Sequence, residues 1–234
     1  PSAPLLTEAP VFQLVAIKVL DSGRSIPGGS GEQQVVLEVL EAAYDRLDRQ
    51  VGLRPAQPIT VIVYDPEIYD DRFFGLFRFS AAGFYSGQIH VRGDVSLSPS
   101  LERVLHHELV HAAFDQAMQS AYLPAWFNEG TAEWFEARSA GKRRLSVQER
   151  SFLHRASQQG ALFSFEQLSA PNFAGFGPGS ARIAYLESYG FIAYLAHHHS
   201  ERRVRDWIRG LGPWPLRSRP GSLDGAAGAS RTTR

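Results

Sequence analysis

Residues 107–111 read His-Glu-Leu-Val-His, and no other stretch of the chain limits its folding so tightly. Side chains four positions apart share a face only where the backbone is α-helical, so His107 and His111 ask for a helix here. The neighbours agree. Leu105, Leu109, Ala112 and Ala113 can anchor the remaining faces of that helix in a core. Ser98 or Ser100 serves as its cap, with Pro99 in the tolerated first-turn position if Ser98 is the cap. The predicted helix runs from about Leu101 to Ala117.

The sequence ahead of this helix is strand-bearing. Residues 11–19, VFQLVAIKV, read as a first strand, and 21–31, rich in Gly and Ser, as a loop. From Glu32 to Gln50, the residues Val35, Val36, Val39, Leu40, Ala43, Tyr44 and Leu47 form an apolar stripe of helical period, with Gly52 and Pro55 as stop signals. Pro58 to Tyr64 is short, apolar and β-branched, as a central strand is. Phe73 to Val95 alternates aromatic residues with Gly75, Gly83 and Gly87, which predicts turns leading into a strand at Gln88 to Arg92. Asp65, Asp70 and Asp71 lack the spacing of a calcium loop and read as turn residues. Beyond 117 the pattern is helical: from 124 or 125 to 140, 146 to 159, 180 to 197 and 201 to 211, with a short turn at 164–169 and a Gly/Pro loop at 171–179. Strands first and helices second predict an α+β fold. We expect one domain over 1–214, with a sheet-bearing lobe (about 1–98) and a helical lobe (about 99–214), then an Arg/Gly/Ser-rich flexible tail over 215–234.

The two histidines can converge on one metal ion, and Glu108 sits one residue along, within reach of a water that the ion activates. The plainer alternative is a pair of surface histidines with ordinary hydrogen bonds. A catalytic zinc takes three protein ligands and leaves a fourth position open. The chain has no cysteine. Glu129 lies eighteen residues beyond His111 in a second predicted helix and is the next ligand in reach, while Glu133, one turn further on, can accept a proton from the far nitrogen of a ligand histidine. Glu129, Glu133 and Glu136 could instead form a solvated acidic face, but like charges at that spacing repel unless a cation offsets them.

This helix pair, His107-Glu108-Leu109-Val110-His111 followed by Trp126-Phe127-Asn128-Glu129-Gly130-Thr131-Ala132-Glu133-Trp134-Phe135-Glu136, resembles the gluzincins, the thermolysin-like zinc peptidases. It is most similar to the small peptidase MA-like domains and to the aminopeptidase N catalytic core. The resemblance covers residues 88–137, with weaker support to 198. It implies a thermolysin-like zincin, with a small N-terminal mixed sheet and helices, a mainly helical C-terminal half and the active-site helix between them. It implies one zinc per chain on His107, His111 and Glu129, Glu108 as general base, and Glu133 as the acid that orients a ligand histidine. The metzincin pattern is absent, since residues 112–121 hold neither Gly nor His. The resemblance also implies a cleft strand before the metal helix. Gln88 to Arg92 matches it, with an exposed edge that an extended substrate could pair with. An oxyanion donor from a later helix falls at Tyr185, with Tyr189 as the runner-up, although Glu187-Ser188 departs from the family's Lys-Gly. Residues 81–87 lack the glutamate that binds a free amine in aminopeptidases, so an endopeptidase is expected, with Tyr85, Gln88 and His90 as substrate contacts.

The expected activity is zinc-dependent hydrolysis of peptide bonds in a peptide or protein substrate. A zinc hydrolase of a specialised amide or of one modified protein, and an inactive metal-stabilised binding domain, are the alternatives, and the intact Glu108 argues against the last. Lys plus Arg equals Asp plus Glu at 24 each, which argues against a nucleic-acid coat protein. The basic residues are uneven, with eight Arg against three acids from Glu201 onward. No apolar run approaches the roughly 20 residues of a transmembrane helix. There is no phosphate loop, since Gly28-Gly29-Ser30-Gly31 lacks the Lys-Ser/Thr that would follow. His106 reads as structural, and His197-His198-His199 as a helix end where histidines suit the dipole. Export, to a periplasm or outside the cell, is expected over the cytoplasm.

Overall fold

The computed structural model describes residues 12–17, 31–55, 57–77, 81–92, 99–118 and 123–211. Their strands are β1 (Phe12–Ile17), β2 (Ile59–Tyr64), β3 (Gly83–Tyr85) and β4 (Ile89–Arg92), in the order β1-β2-β4-β3. β1, β2 and β4 run parallel, and β3 is antiparallel to β4. Parallel neighbours need a crossover, and α1 (Gly31–Gln50) supplies the one from β1 to β2. Its apolar stripe, Val36, Leu40, Ala43 and Leu47, forms one core with Ile59 and Val61 of β2, Ile89 and Val91 of β4, and Leu101, Leu105 and Leu109 of the helix that follows.

Two elements differ from the sequence expectation. The aspartates near β2 belong to a short helix, α2 (Pro66–Arg72): Asp65 caps it by accepting the Glu67 N–H, and Asp70 pairs with Arg92 at 2.7 Å. An Asp before a Pro at the first helical position is a helix start as well as a turn. The aromatic, glycine-broken segment also holds β3. Gly87, at φ +71°, makes the tight return into β4. β4 therefore has a neighbour on each side, and the free edge expected at Gln88 to Arg92 belongs to β3 instead.

The metal-motif helix is α3 (Pro99–Met118). Its capping residue and the 21–30 and 215–234 segments lie outside the described residues. α4 (Ala125–Ser139), α5 (Val147–Gln158), α6 (Phe165–Leu168), α7 (Pro178–His199) and α8 (Glu201–Leu211) follow close to the expected places. Ser146 and Glu149 close a capping box on α5. On α8, Val204 and Ile208 are buried, and Trp207 packs edge-on against Phe127 with ring centroids 4.9 Å apart. The fold is a thermolysin-like zincin: a mixed sheet with its helices, a helical second half, and α3 between them.

α4 lies between α3 and α7. A Cβ on Gly130 would stand 2.5 Å from the Ser188 carbonyl oxygen of α7. Alanine in place of a helix-interior glycine normally stabilises by about 1 kcal/mol. Here it meets backbone rather than a movable side chain, and overpacking costs roughly 1–3 kcal/mol. Gly130→Ala is therefore expected to lower stability in urea denaturation, and a more stable variant would refute this close crossing.

Candidate metal centre

α3 and α4 bring three donors together. His107 Nε2 lies 3.2 Å, and His111 Nε2 3.3 Å, from the same Glu129 oxygen. The two imidazole rings are 4.9 Å apart. All three side chains are nearly enclosed, at 12–13% exposure. They can face one point because the opposite side of α3 (Leu105, Leu109, Ala112, Ala113) and that of α4 (Ala132, Phe135) are fixed in the core.

The far nitrogens are held as well. His107 Nδ1 is 3.2 Å from Glu136 Oε2, and His111 Nδ1 is 2.9 Å from Asn128 Oδ1. A carboxylate and an amide oxygen can only accept, so each Nδ1 carries a proton and each Nε2 is the nitrogen turned toward Glu129, donating to it in the ion-free cluster and free to ligate once its proton is lost to a metal. Glu136 is itself held by Arg103, whose Nε donates to it at 2.6 Å. The expected partner of a ligand histidine, Glu133, does not make that bond. Its carboxylate is near His107 and Glu136, but Glu136 takes the Nδ1 position.

The charges follow from this packing. Burial works against charging His107, but the bonds to Glu129 and Glu136 outweigh it and hold its pKa well above the usual value. His111 is raised in the same way by Glu129 against burial. Burial also works against a charge on Glu129, yet the two histidines hold it far below the usual carboxylate range. Glu108 is pushed up by burial, although it accepts a hydrogen bond from the Tyr85 N–H. Glu133 is pushed up to about 7 by burial and by the negative charges of Glu136 and Glu129.

The donor set fits zinc. A tetrahedral ion with bonds of about 2.0–2.1 Å separates its ligand atoms by about 3.3 Å, and the donors here stand 3.2 and 3.3 Å apart. A buried carboxylate with two imidazoles oriented through their other nitrogens is what such an ion needs.

The site opens into a cavity of about 490 Å³, lined among others by Leu76, Phe84, Tyr85, Asn172 and Tyr185. A second cavity of about 450 Å³ meets it at Ala81, Gly83, His107, Glu108 and Tyr185. Tyr85 spans the cleft, its hydroxyl donating to Asp115 at 2.7 Å. Tyr185 stands 6.3 Å from His107, centroid to centroid, and is hydrogen-bonded to Glu129. Burial and the surrounding carboxylates push its pKa up, so it stays a proton donor.

Three residues expected in the cleft lie elsewhere. Tyr189 is 1% exposed in the core, with Lys142 over its ring. His90 lines neither cavity: it is stacked on Phe84 and bonded to the Tyr64 hydroxyl at 2.8 Å. Gln88 is exposed in the β3–β4 turn and lines neither cavity. Conversely, Asn128 and Glu136 join the site beyond the residues expected there. Asn128 precedes Glu129, and Glu136 follows it by two helical turns, a spacing that puts Glu129 and Glu136 on one face.

No family model and no curated protein matches the chain at a significant level. The class rests on fold and site. His107-Glu108-x-x-His111 on one helix with Glu129 on the next matches the HExxH…E zinc-binding pattern of the gluzincins, on a thermolysin-like fold. The site is that of an enzyme, consistent with a zinc-dependent hydrolase that works with a glutamate base.

Glu136→Gln is expected to weaken zinc binding by roughly 10–100-fold, as loss of such a supporting carboxylate does. Competition with a chelator of known affinity measures this. An unchanged affinity would show that the Glu136–His107 bond does not support the metal.

Proposed function

We propose that the enzyme is an endopeptidase that holds one zinc per chain on His107, His111 and Glu129. The observation that carries this reading is the contact between base and sheet edge: the Glu108 carboxylate accepts the N–H of Tyr85 on β3. The Ser86 N–H and the Ala82 carbonyl face β4. Backbone groups alternate along a strand, so those of Gly83 and Tyr85 face outward, over the cleft. A peptide laid antiparallel or parallel along that edge passes Glu108, with a cavity on each side of it. A cleft that continues both ways suits cleavage within a chain rather than at its end.

Zinc held by His107, His111 and Glu129 would supply polarisation of the scissile carbonyl and acidification of water. The chain's residues do the rest. Glu108 takes the proton of the attacking water and returns it to the departing amine, a task suited to its raised pKa. Tyr85 keeps the base at the sheet edge. Tyr185 donates its hydroxyl to the oxygen on which negative charge develops. Asn128 and Glu136 keep both imidazoles in the ligating tautomer. Trp134 and Phe135, both buried, keep water away from the back of α4.

Glu108→Gln is expected to keep zinc and fold while losing roughly 10²–10⁴-fold of peptide hydrolysis. Cleavage of an unfolded protein by the zinc-loaded chain is the assay, and undiminished turnover would remove Glu108 from the role.

Tyr185→Phe keeps the ring that packs on Phe173 but loses the hydroxyl. Turnover should fall by roughly 10²–10³-fold with little change in KM. Equal effects of Tyr185→Phe and Tyr189→Phe would argue for packing instead.

A further inference from the structure

The two arms of the cleft differ in chemistry. The larger is walled by Leu76, Phe77, Phe84, Phe114, Met118 and Leu123, and its carboxylate Asp115 is already bonded to Tyr85. The smaller runs between α3, α4 and α7 and carries Glu133. The neighbouring Glu136 is engaged by Arg103 and His107. Glu133 makes no hydrogen bond or ion pair among the described residues. Its carboxylate is enclosed by protein except toward the cavity. Val104, Pro178 and Ala181 wall the same space with apolar surface. Two guanidinium groups also line this space: Arg103, whose charge acts on Glu133 but whose hydrogen bond goes to Glu136, and Arg182, which lies over the Phe152 ring, 4.3 Å from its centroid.

We propose that Glu133 makes this arm a specificity pocket for a basic side chain, lysine or arginine, of the substrate. The inference rests on the peptidase reading. Lys and Arg carry a long aliphatic stem and a charged tip. Apolar walls ending at an unpartnered carboxylate match both parts. A neutral side chain would leave that carboxylate buried with nothing to replace its lost hydration, which disfavours it. Glu133 is thus a specificity-determining residue, separate from the Glu136 that holds His107.

The test uses the full chain, zinc-loaded and carrying Glu108→Gln so that bound peptide is not consumed. The probes are fluorescein-labelled ten-residue peptides of Ala, Gly and Ser with one central Lys, norleucine or Glu, read by fluorescence polarisation. The Lys peptide should bind roughly ten- to a hundredfold more tightly than the norleucine peptide, as a charge-assisted hydrogen bond gives. Adding Glu133→Gln should bring that ratio to about one, and Glu133→Lys should turn the preference toward the Glu peptide, with zinc content checked in each. Equal binding of the Lys and norleucine peptides, or no binding of either, overturns the proposal. So does a Glu133→Gln effect that weakens both alike, the signature of a residue acting through His107. The active chain separates this from the peptidase reading. Lys preference in binding without cleavage of an unfolded protein would sink the peptidase reading and leave the pocket standing. Cleavage sites with no basic residue at a fixed position would sink the pocket alone.

Discussion

One carboxylate oxygen of Glu129 within 3.3 Å of two imidazole nitrogens is the constraint around which the molecule is arranged. Burial opposes a charge on each of these groups, so the cluster persists only because opposite charges face each other at short range. A cation in their midst does the same more completely, because it lets both histidines be neutral and all three groups donate electron pairs inward. The second layer follows from this. Asn128 and Glu136 fix the tautomers, and Arg103 offsets the charge of Glu136. The buried apolar faces of α3 and α4 keep the two helices in register.

β3 contributes to the site out of proportion to its three residues. Its free edge supplies the N–H that meets Glu108, and its Tyr85 side chain crosses the cleft to Asp115. Gly83 allows the strand to come close: a Cβ there would stand 2.6 Å from Val104 of α3. The sheet edge and the metal helix thus meet at a position without a side chain, and the base lies where the two come together.

The helices were legible in the sequence because each repeats its apolar positions over several turns, as Val36, Leu40, Ala43 and Leu47 do on α1. β3 and α2 were not, because three or seven residues hold too few repeats to show a period. In the site, the i,i+4 histidines and Glu129 could be read from spacing and helix geometry. The choice between Glu133 and Glu136 could not. At about 100° per residue both stay within about 40° of Glu129 on the helix wheel, and only the angle of α4 against α3 decides which reaches His107. Tyr185 and Tyr189 posed the same problem one turn apart on α7. The crossing with α4 turned the first to the cleft and left the second in the core. His90 depends on a strand too short to show a period: with β3 paired to β4, Phe84 lies over His90 and takes the place at the cavity wall.

Gly130 stands next to Glu129, and Ser188, whose carbonyl oxygen leaves no room for a Cβ at 130, stands three residues after Tyr185. That crossing acts as a gauge block between a ligand and a proton donor carried by different helices. Any larger residue at 130 would act as a shim, and its thickness would appear as a gap between Tyr185 and the metal-binding face. The tolerance of the reacting centre is therefore set at a position with no functional group, and sensitivity to substitution need not coincide with the residues that perform the chemistry.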